Sequence, residues 1–169
     1  MVSVRVRYYV SAVVIAVGLC AAATANATTT QRVFHALPCK AANSNGILSS
    51  IYQWYNASSL GNTSIVCPVT SDSTVAIPAT SPLTASVTVN GYDNAIGASS
   101  VRLCRQPASG GTPQCATTSA SSTASGSWSL TAPLPSGLSV GDYVYLEVSL
   151  GPVMGGSYCT FWGYTLTNQ

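Results

Sequence analysis

Six cysteines, at positions 20, 39, 67, 104, 115 and 159, constrain this chain more than any other feature, and the segment before Thr28 decides how they can be used. In "MVSVRVRYYVSAVVIAVGLCAAATANA", Arg5 and Arg7 precede an apolar core from Tyr8 to Leu19. Small residues follow and end in Ala25-Asn26-Ala27, the pattern at which signal peptides are cut. The reading is a cleavable signal peptide at 1–27 and a secreted domain at 28–169. An uncleaved anchor competes, since a spanning helix needs about 17–25 residues and the run reaches that if Ala21 to Ala25 are counted. The small residues and the cleavage pattern favour removal. Leu19 stands where a lipoprotein signal carries a small residue, which argues against Cys20 as a lipid attachment point.

Cleavage removes Cys20 and leaves Cys39, Cys67, Cys104, Cys115 and Cys159 in an oxidising milieu. An odd number there means that one thiol is free or pairs between chains. Cys104 and Cys115 flank the Pro/Gly/Ser loop "RQPASGGTPQ", where two antiparallel strands would set them opposite each other. Cross-strand Cα separations of about 4.5–5.5 Å lie within the disulfide range. Closing so short a loop stabilises by about 3 kcal/mol in the chain-entropy picture. Cys39 and Cys67 form the second expected bridge, worth about 3.5 kcal/mol on the same basis. Proximity along the chain is the only warrant for both, among about 15 possible arrangements. Cys159 is then the leftover: a buried thiol acting as a small apolar residue, an intermolecular bridge, or a member of another pairing. A catalytic role for it is disfavoured, because the single imidazole, His35, stands at the far end of the chain.

The chain's formal charge of +2 comes from Arg5 and Arg7. The secreted part balances Arg32, Lys40, Arg102 and Arg105 against Asp72, Asp93, Asp142 and Glu147. A neutral surface lacks the counterion-release drive toward nucleic acid and the pull toward anionic lipid. Its polarity comes from hydroxyls, and near-zero charge favours association.

Runs rich in β-branched and aromatic residues recur between Gly, Pro, Asn and Ser clusters, which predicts an all-β fold. The expected strands are "RVFHAL", "SIYQWYN", "TSIVCPV", "STVAIP", "ASVTVN", "SVRLCRQ", "QCATT", "GSWSLTA", "DYVYLEVSL" and "YCTFWGYTLT". In "DYVYLEVSL", Val144, Leu146, Val148 and Leu150 alternate with Tyr143, Tyr145, Glu147 and Ser149, so one face is apolar. Asn90-Gly91 reads as a hairpin turn, and "TTSASSTASGS" as a loop or worn edge strand. The whole predicts a single antiparallel β-sandwich of about 8–10 short strands, held by disulfides.

Catalytic signals are weak. "GLSVG" matches G-x-S-x-G around Ser139, but the nucleophile elbow needs a strand before the serine and a helix after it. Here Pro133 and Pro135 precede it and a strand follows. Asp142 and Glu147 point to opposite faces of one strand, and a single histidine with oxidised cysteines cannot build a zinc site. "NGYDN" has oxygens for calcium but reads more simply as a turn. Asn56-Ala57-Ser58 and Asn62-Thr63-Ser64 are sequons. Tyr52 and Trp54, two apart, are expected on one strand face, and Tyr143 and Tyr145 on another, facing outward. Trp128, Trp162 and Tyr164 also fall on expected strands, where core packing competes with display.

The ordered motifs "LPC", "IVCPV", "VRLCRQPASGGTPQC", "GSWSL", "GDYVYLEVSLGP" and "GYTL" resemble a broad group of small secreted bacterial proteins. That group is marked by a Val-Cys-Pro strand and a cysteine-flanked hairpin, here spread from Phe34 to Leu166. The resemblance favours the Cys39–Cys67 and Cys104–Cys115 pairings and makes Cys159 an addition. It brings no assigned activity, so no catalytic residue carries over.

These readings converge on a non-catalytic structural or adhesive protein, secreted and extracellular or else periplasmic or at the cell surface, able to self-assemble through exposed strand edges. The alternative is a carbohydrate-binding module with Tyr52, Trp54, Tyr143 and Tyr145 as its platforms. The expected partner is a second copy or an extracellular polysaccharide, not nucleic acid, and not a membrane once the signal is cut. No cofactor or metal is expected, and a small hydrolase ranks last.

Overall fold

A computed structural model describes residues 30–69, 86–94, 97–121, 125–139 and 141–168. The expected leader, the "STVAIP" strand and Asp72 lie outside the described residues. Among these residues twelve strands follow in order: β1 (Thr30–His35), β2 (Lys40–Ala41), β3 (Gly46–Leu48), β4 (Trp54–Asn56), β5 (Thr63–Pro68), β6 (Ser86–Asp93), β7 (Ser100–Gln106), β8 (Gln114–Cys115), β9 (Ser119–Ala120), β10 (Gly126–Ala132), β11 (Tyr143–Leu150) and β12 (Thr160–Asn168). Among the described residues there is no helix.

The strands form two packed antiparallel sheets. Sheet I runs β10-β6-β12-β4-β3, with β1 beside the C-terminal half of β12; sheet II runs β2-β5-β11-β7-β8, with β9 also on β7. β11 is central to sheet II because its alternation gives it one wholly apolar face. Val144, Leu146, Val148 and Leu150 are buried, each stabilising by about 1.5–3 kcal/mol. Opposite them, sheet I contributes Val87, Val89, Phe161, Tyr164 and Leu166. Phe34 of β1 stacks on Tyr164 with ring centroids 4.9 Å apart.

Among the described residues, the side chains of Tyr164, Ser119 and Asn56 tie the sheets together by hydrogen bonds. The Tyr164 phenol donates to the Pro68 carbonyl at 2.7 Å. Ser119 Oγ donates to Thr131 O at 2.7 Å, joining β9 to β10. Asn56 Nδ2 donates to Leu150 O at 3.2 Å and Gly151 O at 2.9 Å, linking the end of β4 to the end of β11.

Cys39 is bonded to Cys67, 28 residues on, and Cys104 to Cys115, 11 residues on. Both bridges lie in or beside sheet II, and Cys104 and Cys115 are directly opposed in the β7–β8 ladder. Cys159 is a free, buried thiol. Its Sγ donates to Gly97 O at 3.3 Å, and burial pushes its pKa up. It fills space as a small apolar residue.

Two expectations fail for physical reasons. Asn90-Gly91 is not a turn but lies inside β6. Gly91 stands opposite Trp128 on one side and Phe161 on the other. A Cβ there would collide with the Trp128 indole and the Thr160 carbonyl, so this glycine serves close packing and not chain reversal. Likewise "SIYQWYN" is strand only from Trp54, because Tyr52 takes a φ of 60° in a turn. That turn is closed by Tyr52 N–H to Ser49 O at 3.0 Å and Ser49 N–H to Gln53 O at 2.8 Å.

Candidate functional site

Partners directly opposed in an antiparallel ladder point to the same side of the sheet. The register of sheet I therefore assigns its outward face as rungs running across the strands. One rung is Ser127–Tyr92–Thr160–Tyr55–Ile47, from β10 to β3. The next is Ser129–Asn90–Gly163–His35, from β10 to β1, and the third is Thr131–Thr88–Thr165–Val33. No Asp, Glu, Lys or Arg occupies any of these positions.

The register of β12 against β6 shifts between Phe161 and Gly163. Such a bulge leaves one residue unpaired and re-aims its side chain. Here the extra residue is Trp162, which is 36 % exposed between two buried neighbours. Gly163, next to it, has no side chain to fill the middle of its rung. A Cβ at Gly163 would strike the Phe34 carbonyl, so the close approach of β1 to β12 demands glycine there. The missing side chain leaves a trough of about 510 Å³, lined mainly by apolar surface of Trp162, Val33, Phe34, Trp128 and Tyr164, with Asn90, Ser127, Ser129, His35 and Thr165 supplying polar groups around Gly163. At roughly 4.8 Å between strands, the rung that floors it spans about 14 Å from β10 to β1.

The trough's polar groups are unspent. The Asn90 amide, the Ser127 and Ser129 hydroxyls and the His35 imidazole form no hydrogen bond with other described residues. Val33 is 72 % exposed at its rim. The outward face of sheet II differs in character. Arg102 and Glu147 form an ion pair there at 2.7 Å, beside a shallow polar hollow lined by Ser64, Ser100, Thr118 and Ser149.

The four aromatic residues singled out in the sequence do not form one surface. Tyr143 and Tyr145 stack on the outward face of sheet II, with centroids 6.1 Å apart. Burial raises the Tyr145 phenol pKa. Tyr52 is exposed in its turn, whereas Trp54 faces inward, opposite Phe161. The Trp54 Nε1–H donates to Ala36 O at 2.9 Å, so it is a packing residue and not a platform shared with Tyr52.

The remaining chemical candidates are also placed. Ser139 sits in a turn, with its N–H donating to Asp142 Oδ2 at 3.0 Å. Asp142 also pairs with Arg105 at 2.9 Å. The Ser139 and Ala108 amides and the Arg105 guanidinium hold its pKa down, against the upward pull of burial. Asp93 is buried and accepts from the Ser99 amide at 3.1 Å and from the Ser99 and Ser121 hydroxyls. It points inward while Asn90 points outward, so "NGYDN" does not converge on a cation. Cys104, Cys115 and Glu147 offer atoms within 4.8 Å of one another, but the two sulfurs are bonded to each other. Of the two sequons, Asn56 is buried with its amide engaged by three carbonyls, while Asn62 is exposed.

No protein-family model, curated protein or solved structure matches this chain.

Proposed function

We propose that this is a non-catalytic extracellular protein of structural or adhesive type, which makes contact through the outward face of sheet I. One observation carries the reading: among the described residues the rungs of that face bear no fixed charge, and a β-bulge lifts Trp162 from them. The two disulfides are compatible with an oxidising compartment, and the sequence pattern of the leader supports export. An uncharged contact gains little from Coulomb attraction, so its strength should be nearly independent of ionic strength.

The test is retention of the purified chain on intact cell envelopes and extracellular matrix, washed between low and high salt. Retention should survive molar salt and fall sharply in a Trp162→Ala, Val33→Ser variant. Elution by salt, or an unchanged variant, would sink the proposal.

A specific feature favours self-association as a second reading. β1 is six residues long and pairs only with β12 among the described residues, so no described strand occupies its other edge. Among the described edge strands β2, β3, β8 and β9 are shorter, while β10 receives a hydrogen bond from Ser119 of β9. An open edge of this length can accept a second copy. Val33→Lys should then abolish concentration-dependent assembly in sedimentation velocity, and a native chain that stays monomeric at high concentration would exclude it.

A further inference from the structure

Resting on the contact face just proposed, we infer that the trough at Trp162 is a subsite for a neutral polysaccharide chain lying across the strands. Three features choose this ligand over others. A peptide that adds to a sheet needs free backbone N–H and C=O groups along an edge. Here the floor is Asn90 and Gly163, in the paired interior of sheet I, flanked by β10 and β1. A charged ligand needs counter-charge, and among the described residues the lining contains neither carboxylate, guanidinium nor ammonium. A lipid tail would cover the apolar part of the lining but leave the Asn90, Ser129 and His35 side chains of the flooring rung dehydrated and without partners.

A pyranose has what this lining lacks. Its C–H face is apolar and suits an indole, and its rim carries neutral donors and acceptors. With Gly163 as the floor, a sugar ring can descend beside Trp162. The Asn90 amide offers two donors and an acceptor, and Ser127, Ser129 and His35 can each donate or accept. None of these groups needs to give up a hydrogen bond to another described residue. The trough is open and about 14 Å across its flooring rung, at the strand spacing of roughly 4.8 Å. It therefore admits a few consecutive residues of a chain, not an isolated terminal sugar alone.

The test uses soluble neutral polysaccharides of different linkage (hydroxyethyl cellulose, xylan, mannan and laminarin) against anionic alginate and heparin. Affinity electrophoresis is read alongside the tryptophan emission of the native chain. At least one neutral polymer should retard the protein and shift its emission to shorter wavelength as Trp162 is covered. Trp162→Ala should weaken retardation by about tenfold or more, the loss expected for one stacked ring with its buried area. Asn90→Ala and Ser129→Ala should each weaken it several-fold with an unchanged far-ultraviolet spectrum. Tyr143→Ala, on the opposite sheet, should leave it unaltered.

Retardation by no neutral polymer would overturn the inference. So would retardation by the anionic polymers alone, or by a neutral polymer through Tyr143 and not Trp162. If Trp162→Ala abolishes retention on cell envelopes while no polysaccharide binds, the contact face stands and only its ligand class falls. If the envelope retention itself ignores Trp162, the contact face falls first.

Discussion

Replacing Asn56 by Ala should cost this protein more than its place in a sequon suggests. Asn56 is fully buried, and its Nδ2 donates to Gly61 O, Leu150 O and Gly151 O at 2.8, 3.2 and 2.9 Å. Its Oδ1 accepts from the Ser58 N–H at 2.9 Å. Leu150 and Gly151 are buried, so truncation strands their carbonyls away from water, whereas the groups at Gly61 and Ser58 are half-buried and can be rehydrated. At about 1 kcal/mol for each stranded acceptor and about 0.5 kcal/mol for each rehydrated group, the loss is about 3 kcal/mol. For a domain of this size that lowers the Tm by about 10 °C. Urea unfolding under non-reducing conditions, followed by tryptophan fluorescence, measures it directly. Asn56→Asp adds a sign test. A carboxylate facing three carbonyls is favoured only when protonated, so its folded pKa must rise above the unfolded value of about 3.9. That variant should therefore lose stability as the pH climbs from 4 to 7. A loss below about 1 kcal/mol for Asn56→Ala, or an Asn56→Asp variant that gains stability over that range, would refute the stapling role.

Three further outcomes are expected. Asp142 is held below its ordinary pKa by the Ser139 amide first, then by Ala108 and Arg105. Its contribution is complete above the unfolded pKa near 3.8 and is lost as the pH falls through the depressed folded value, so Asp142→Asn should flatten the decline of the urea midpoint between pH 5 and pH 2.5. Tyr164 has its pKa pushed up to about 12 by burial, so ultraviolet titration should show a phenol that resists ionisation well beyond pH 10, and Tyr164→Phe should cost about 1 kcal/mol through the lost bond to Pro68 O. Cys159, buried and with its pKa raised, should take up iodoacetamide only after denaturation; rapid labelling of the native chain would contradict its placement.

The parts of the fold that depend on short-range pattern were legible from residues alone. β11 announces itself by strict alternation, and the β7–β8 bridge by two cysteines around a Pro/Gly loop. β10 begins and ends where "GSWSLTA" does. What the chain conceals are features created by a neighbour from far along it. Asn90-Gly91 has the composition of a turn, and only the arrival of Trp128 and Thr160 makes the glycine a packing position. The alternation of Tyr52 and Trp54 is real in the sequence but is interrupted by the positive φ at Tyr52. Trp162 escapes a period-two reading altogether, because its outward aim comes from a bulge that shifts the register of β12. β2 and β3 are too short, at two and three residues, to carry a periodic signal.

The location of the sulfur bridges has a mechanical consequence. The closed loops run from 39 to 67 and from 104 to 115. β1, β6, β10 and β12, the strands that carry the trough, lie outside both. The covalent bracing thus stiffens sheet II and the β3–β4 end of sheet I, while the four strands that carry the trough are held to it by packing and hydrogen bonds. Those four strands can yield locally and settle against an uneven substrate without the molecule as a whole coming apart.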